Sequence, residues 1–274
     1  MVDGVLQQRT AAEQRASYDD RGYVIVPNLL TPSEIAGLRA ALVDLLKEAE
    51  GLTTSNERFF VVVGDDGQRH VTRVRHPNGY HDAFRELISN PNLLDLVETL
   101  IGPDIQFVNS KINLKPPRNE SFAYPWHQEW PFNPHTNFDQ LTVTIPLEDT
   151  TEQNGCLRVI PGSHKDGPVP HQYGRYFGVK SEELVKDCSR HVSLVVPAGG
   201  VTAHHCCLLH SSTPNFSTAS RDVIFLDYRA ADNVQLHGAA GPGRGLLVRG
   251  KDSLSVRMVA GTFNIRDTPR PPGS

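Results

Sequence analysis

The sequence predicts a mainly β protein, a barrel or sandwich set behind a layer of N-terminal helices. Three observations carry that expectation. Apolar stripes of helical period all precede Gly102, whereas from Ile105 onward short apolar runs alternate with Gly-, Pro- and Asn-rich turns. Neither a regular strand–helix repeat nor a GxGxxG opening follows, which sets aside a doubly wound nucleotide-binding fold. The chain has 274 residues, 38% hydrophobic and 21% charged, with 22 Gly and 20 Pro. That is enough for a core of its own, in a turn-rich chain that is neither a coiled coil nor generally disordered.

Taken in order, residues 1–17 are polar and read as a frayed segment or a short surface helix. GYVIVPNLL at 22–30 reads as an apolar strand ending at Pro27. In the segment that follows, Thr31 suits an N-cap, Pro32 suits the first helical position and Glu34 completes a capping box. Ile35, Leu38, Leu42, Leu45 and Leu46 then form one helical stripe that needs a sheet to cover. ERFFVVVGDDGQRHVTRVR at 57–75 reads as two strands joined at GDDG, and 79–89 and 91–101 as helices, the second opened by Pro91 and stopped by Gly102 and Pro103. Strands are expected near 105–115, 121–129, 140–147, 157–160, 190–196, 201–209 and 220–230. Because the early helices need that sheet, the chain reads as one domain over 1–274. The main insertion is 162–189, a surface connection or a lid, with a helix-prone SEELVKDC inside it.

Charge and composition narrow the function. Lys and Arg total 27 against 31 Asp and Glu, a formal net charge of −4, so no broad basic surface for nucleic acid or membrane is expected. The N-terminus lacks the apolar run of a secretory signal, and no segment approaches the roughly 18 apolar residues of a membrane-spanning helix. The four cysteines are too few and too irregular for a disulfide scaffold or a Cys-rich zinc site. A cytoplasmic enzyme or binding protein for a small molecule, monomer or homodimer, is the expectation.

WHQEW at 126–130 changes that reading. In an extended strand His127 and Glu129 project to one face and Gln128 to the other. His210, where an apolar strand reaches a Ser/Thr/Pro turn, is placed to supply a third ligand. Two imidazoles and one carboxylate on one face of an octahedral Fe(II) leave three positions for small molecules; zinc can bind similar residues.

With these motifs in place, the chain resembles the phytanoyl-CoA dioxygenase family of Fe(II)/2-oxoglutarate-dependent oxygenases. RGYVIVPNLLTPSEIAGLR, NSKINLKPP leading into FAYPWHQEW, LTVTIPLEDTTEQNGCLRVIPGSH and LLHSSTPNFSTASRDVIFLDYR carry the likeness in order, over roughly 20–230. It implies a double-stranded β-helix core (jelly-roll, cupin-like) with N-terminal flanking helices. It further implies His127, Glu129 and His210 as catalytic metal ligands for Fe(II), with 2-oxoglutarate and O2 as cosubstrates. Glu129 stands where the family usually has Asp, and a carboxylate there argues against a halogenase. Arg221, eleven residues after His210, matches the family's anchor for the far carboxylate of 2-oxoglutarate.

Other polar residues have less specific readings. Lys111, Asn113 and Lys115 share a strand face; the resemblance makes Asn113 a cosubstrate hydrogen-bond donor and leaves the two lysines unranked. Thr142, Thr144 and Ser212 carry hydroxyls that either complete the cosubstrate site or serve the sheet. Trp126, Trp130 and Phe132 either wall a substrate cavity or pack around the strand, and His135 and Asn137 are candidates for substrate contact. His204 and His205 read as supporting or core residues. The implied reaction is hydroxylation of an unactivated C–H bond of a small metabolite, forming succinate and CO2. Desaturation, epimerisation or cyclisation with the same cofactor is the alternative, and a noncatalytic β-barrel binding a metal or small acid is the reading from a different class.

Overall fold

Thr10 opens the first helix, α1 (Ala11–Arg21), through a capping box with Glu13, and Gly22 closes it in the left-handed conformation at φ 83°. The polar N-terminus therefore holds a helix that runs four residues past the expected segment. The structure is a computed structural model and describes residues 9–64, 67–118, 122–172, 178–179, 188–237 and 241–260. β1 (Tyr23–Val26) is shorter than the expected strand, because Pro27 and then Asn28, at φ 53°, turn the chain away. The Thr31/Glu34 box starts α2 (Pro32–Lys47), whose Ile35, Leu38, Leu42 and Leu45 are buried. β2 (Phe59–Val63) and β3 (Arg69–Arg75) pair as a hairpin; Asp65 and Asp66 of its turn lie outside the described residues. The helix expected at 79–89 narrows to α3 (Asp82–Leu87), where His81 Nδ1 accepts from the Ala83 amide at 3.2 Å. α4 (Pro91–Ile101) begins at Pro91 as expected, capped by the Asn90 side chain.

The remaining strands are β4 (Ile105–Lys115), β5 (Tyr124–His127), β6 (Gln140–Pro146), β7 (Leu157–Val159), β8 (His171–Gln172), β9 (Gly178–Val179), β10 (Val192–Leu194), β11 (Val201–His205), β12 (His210–Ser212), β13 (Arg221–Ala230) and β14 (Leu247–Arg249). The large sheet runs β1-β11-β6-β13-β4-β3-β2, with β14 also on β4, and the smaller one runs β10-β7-β12-β5. Every described pairing is antiparallel. The fold is thus mainly antiparallel β with few helices. Two expected strands divide differently. Of the segment 121–129, the described residues 122–129 are strand only over 124–127, and 201–209 stops at His205, turns at Cys206–Cys207 and resumes as β12 in the other sheet. Both halves of that run are buried, so hydrophobicity carried no mark of the crossing between sheets. Of the insertion, β8 and β9 pair together, while SEELVKDC lies outside the described residues except for Cys188.

Alternation on the large sheet separates a stabilising face from a polar one. Ile112, Leu114, Val143, Ile145, Ile224 and Leu226 join the helices in the main core. Each buried side chain of that size contributes about 1.5–3 kcal/mol. The opposite face carries Arg75 beside Lys111, Lys111 beside Phe225, and Phe225 beside Thr144. With the helical side supplying the burial that folding requires, this second face can hold polar side chains.

Candidate functional site

His127, the last residue of β5, lies directly opposite His210, the first of β12. Glu129 does not reach them by strand alternation. It has left the strand, adopts φ −78° and ψ −38°, and leads into a single 3-10 turn at Trp130–Phe132. The Glu129 and Trp130 amides both donate to the Cys206 carbonyl at 3.0 Å, which holds this turn against the sheet crossing. His127 Nδ1 bonds to the Pro125 carbonyl at 2.7 Å and His210 Nδ1 to the Leu208 carbonyl at 2.8 Å. A carbonyl only accepts, so both Nδ1 atoms carry the hydrogen and both Nε2 lone pairs are left for the site. Those Nε2 atoms stand 3.6 Å (His127) and 3.3 Å (His210) from Glu129 Oε1.

Three electron-pair donors thus face one another, their ligand atoms all within 4.8 Å. A carboxylate and two imidazoles that donate through Nδ1 turn lone pairs toward one another, and a cation resolves the conflict. Ligands at right angles on a first-row metal stand about 3 Å apart, so the donor set fits such an ion. Burial pushes His127 down to about 4, with His210 adding to the effect, which keeps its ring neutral. Burial works to raise the Glu129 carboxyl, but the Lys111 ammonium opposes it, and the group is held well below the usual carboxylate range. Lys111 Nζ lies 3.5 Å from Glu129 Oε2.

The triad opens into a cavity of about 730 Å³ that also reaches Asn113, Thr144, Ser212 and Arg221. Arg221 pairs in register with Lys115, four residues beyond Lys111 on β4, or about 13 Å along the strand. Its side chain makes no hydrogen bond or ion pair with any described residue; it is 4% exposed, and its Nε lacks a partner. Burial lowers the affinity of this guanidinium for its proton. The wholly buried Lys115 donates to Ser212 Oγ at 2.7 Å and to the Thr213 carbonyl. Burial, then Arg221, lowers Lys115 to about 6. The two lysines are therefore distinguished: Lys111 belongs to the triad end and Lys115 to the Arg221 end. The expected Asn154-Gly155 turn admits this approach, since Gly155 has φ +78° and a Cβ there would meet the Pro214 carbonyl at 2.7 Å and Lys115 Nζ at 3.1 Å. Asn113 Oδ1 accepts from Arg73 Nε at 2.9 Å, leaving its NH2 as the end able to donate into the cavity. Thr144 shares its hydroxyl with Thr202 at 2.5 Å.

Other candidates are placed elsewhere. Phe132 lines the cavity, with its ring 6.2 Å from His127. Trp130 instead packs with Cys206, Cys207 and Phe138, and Trp126 packs against Ile160, Leu209, Val169 and Val179. Thr142 donates to Asp227 Oδ1 at 2.6 Å and sits behind that carboxylate rather than on the wall. Neither His135 nor Asn137 lines the cavity. His135 bonds to the Asn133 carbonyl, and Asn137 is tied to Asn233, Arg257 and Asp139. His135 thus serves its own turn, while Asn137 ties this loop to the segments carrying Asn233 and Arg257. His204 is buried beside His210, ring centroids 4.7 Å apart, and does not join the three facing donors. His205 forms a separate group with the buried Cys206 and Cys207.

Sequence reasoning missed Arg73, Arg75, Asp227 and Arg244, all of which line the cavity. Period-two spacing in RHVTRVR and the lone acid in VIFLDYR were available as signals, but their value depended on which strand lay beside them. Nothing local marked Arg244.

A cavity between antiparallel sheets, with two imidazoles and a carboxylate at one end and, at the other, a guanidinium unpaired among the described residues, fits the class of non-haem iron oxygenases that use an oxo-acid cosubstrate. The chain belongs to the phytanoyl-CoA dioxygenase family, whose model matches residues 18–223. It is an enzyme of the iron- and 2-oxoglutarate-dependent dioxygenase kind. It is 34% identical over 257 residues to a probable alpha-ketoglutarate-dependent hypophosphite dioxygenase of Stutzerimonas stutzeri, covering 90% of this chain and 89% of that one. Over 252 residues it is 28% identical to the L-proline trans-4-hydroxylase of Streptomyces griseoviridis, covering 84% and 90%. Among solved structures, the epimerase SnoN in complex with Fe3+, alpha ketoglutarate and nogalamycin RO matches with a TM-score of 0.69 at 23% identity, covering 93% of this chain and 97% of that one. No helix among the described residues is long and apolar enough to cross a membrane.

Proposed function

We propose that this protein is a single-domain hydroxylase, spanning 1–274 on a double-stranded β-helix, that oxidises an unactivated C–H bond of a small metabolite. The observation that carries the reading is the convergence of His127 Nε2, His210 Nε2 and Glu129 Oε1 with lone pairs turned toward one another. In this reading those three residues hold Fe(II). Bound iron, together with 2-oxoglutarate and O2, supplies the oxidation, in which 2-oxoglutarate loses CO2 to give succinate and one oxygen atom goes to the substrate. The chain itself positions and shields. Arg221 receives the far carboxylate of 2-oxoglutarate through paired charge-assisted hydrogen bonds, with Lys115, Ser212, Asn113 and Thr144 around it. Lys111 restrains the outer oxygen of Glu129, and Phe132 keeps water from the triad. Among the relatives, the names given for hypophosphite and L-proline enzymes support a small substrate.

A substrate screen reading succinate, followed by mass analysis of the product, tests this. Hydroxylation appears as the gain of one oxygen atom, whereas loss of two hydrogens would reassign the outcome to desaturation. Absence of Fe(II)-dependent 2-oxoglutarate turnover in the folded parent, with every substrate class tried, would overturn the assignment.

A further inference from the structure

Five cationic side chains line the cavity, Arg73, Arg75, Lys111, Arg221 and Arg244, against two carboxylates, Glu129 and Asp227. In the proposed function, a divalent metal and a dicarboxylate cosubstrate cancel one another's charge and leave this surplus in place. Three of the cations already have work. Lys111 faces Glu129, Arg73 holds Asn113 and the Tyr124 hydroxyl, and Arg221 is assigned to the cosubstrate. Arg75 and Arg244 remain.

Neither forms an ion pair with a described acid, although Asp227 across the cavity attracts Arg244 at longer range. The Arg75 side chain makes no hydrogen bond or ion pair with any described residue, and its guanidinium lies 5.5 Å from the centroid of the Phe60 ring. On β3 it stands directly opposite Lys111, so it is one strand out from the triad end, about 4.8 Å away in the sheet. Arg244 reaches the cavity from the segment after β13. It donates only to neutral partners, the Gln235 side chain and Asn133 Oδ1 at 3.4 Å, and its buried Nε has no partner. Both act electrostatically on the ring of His76, which also lines the cavity, and both lie toward the triad end, Arg75 opposite Lys111 and Arg244 on Asn133, the residue after Phe132. Two planar forks at one end of a cavity, each with donors to spare, match the oxygens of a single anionic group.

We infer that the substrate is a small anion whose carboxylate or phosphorus oxyanion group is received between Arg75 and Arg244, with the bond to be oxidised turned toward His127, Glu129 and His210. This rests on the proposed function and adds the substrate's chemical class to it. Anchoring at these residues leaves the Arg221 end to the cosubstrate, so the two acids are sorted by position.

The test is calorimetric titration of anaerobic Fe(II)-loaded protein, with and without 2-oxoglutarate, using methylphosphonate, propionate and neutral propionamide as probes. At least one anion should bind, and propionamide at least about ten-fold more weakly, the weight of one charge-assisted hydrogen bond. R75Q and R244Q should each weaken that anion by about ten-fold or more while 2-oxoglutarate affinity stays within about two-fold, and R75K should recover part of the binding. Binding of propionamide equal to both anions, or parent anion affinity in folded R75Q and R244Q, would overturn the inference. So would a loss of 2-oxoglutarate affinity in R75Q as large as the loss for the anion, which would make Arg75 part of the cosubstrate anchor. Should R75Q or R244Q not fold, R75M or R244M takes its place, titrated with 2-oxoglutarate bound so that Arg221 is occupied, and parent anion affinity in it would again overturn the inference. Failure of 2-oxoglutarate to bind the parent is read in its own titration and counts against the proposed function, while the anion arm without cosubstrate still decides this inference.

Discussion

Replacing Arg221 by Leu separates binding from stability. The guanidinium opens β13 opposite Lys115, is 4% exposed and has no hydrogen-bond or ion-pair partner among the described residues. In the unliganded protein it is a desolvated charge that opposes folding, so R221L should melt at or above the parent temperature. With 2-oxoglutarate the sign reverses. Breaking a buried charge pair costs about 3–5 kcal/mol, and each 1.4 kcal/mol is one decade of affinity, which gives about two to three and a half decades. The cavity admits water and Lys115 remains nearby, so the lower end, about 100-fold, is expected. Titration of 2-oxoglutarate into anaerobic Fe(II)-loaded protein measures this, with iron stoichiometry determined separately and expected to stay at the parent level. Melting curves give a second readout, because the cosubstrate should raise the parent's midpoint far more than the variant's. Equal 2-oxoglutarate affinity in parent and R221L would refute the anchor, and a parallel loss of iron would show that Arg221 supports the triad instead.

Other consequences follow from the same geometry. His127→Ala and His210→Ala should each abolish stoichiometric iron binding in a folded protein, Glu129→Ala should do likewise, and Glu129→Asp should retain part of it; parent-level iron and turnover in these variants would reject the triad. Gln128 is wholly buried, donates to the Gly167 and Cys207 carbonyls at 2.9 and 2.7 Å, and accepts from the Val169 amide at 2.8 Å. Gln128→Ala strands those groups, so a denaturant titration should show a loss of about 1–3 kcal/mol; an unchanged midpoint would mean that water replaces the side chain. Lys115 titrates at about 6 in the fold because of burial and then Arg221, against about 10.4 in an unfolded chain. The unfolded state binds the extra proton across that interval, so this group's contribution makes stability rise with pH from about 6 toward 10. Lys115→Met should flatten the dependence of the urea midpoint between about pH 7 and 9, and identical slopes would show that Lys115 stays charged in the fold.

What the sequence determined by itself is what depends on near neighbours along the chain. The Thr31/Glu34 box, the apolar stripe of α2, Pro91 at the start of α4, and the strand character of β4, β6 and β13 all follow from spacings within a few residues. The ordered motifs around His127, Glu129, His210 and Arg221 were likewise legible, and with them the family. Tertiary structure alone decided how those pieces meet. Glu129 joins His127 through a turn held by the Cys206 carbonyl, a residue from a remote strand end, and not through the alternation that HxE implies. The crossing at Cys206–Cys207 carries His210 into the smaller sheet, and no apolar run records that change of direction. Lys111 and Lys115 look equivalent on one strand; only pairing with Arg221 and the approach of Glu129 assign them to different ends. Trp126 and Trp130 pack away from the cavity, while Arg73, Arg75 and Asp227 enter it. Periodicity tells which residues share a face, but register and sheet order tell what that face meets, and these come from contacts between segments far apart in sequence.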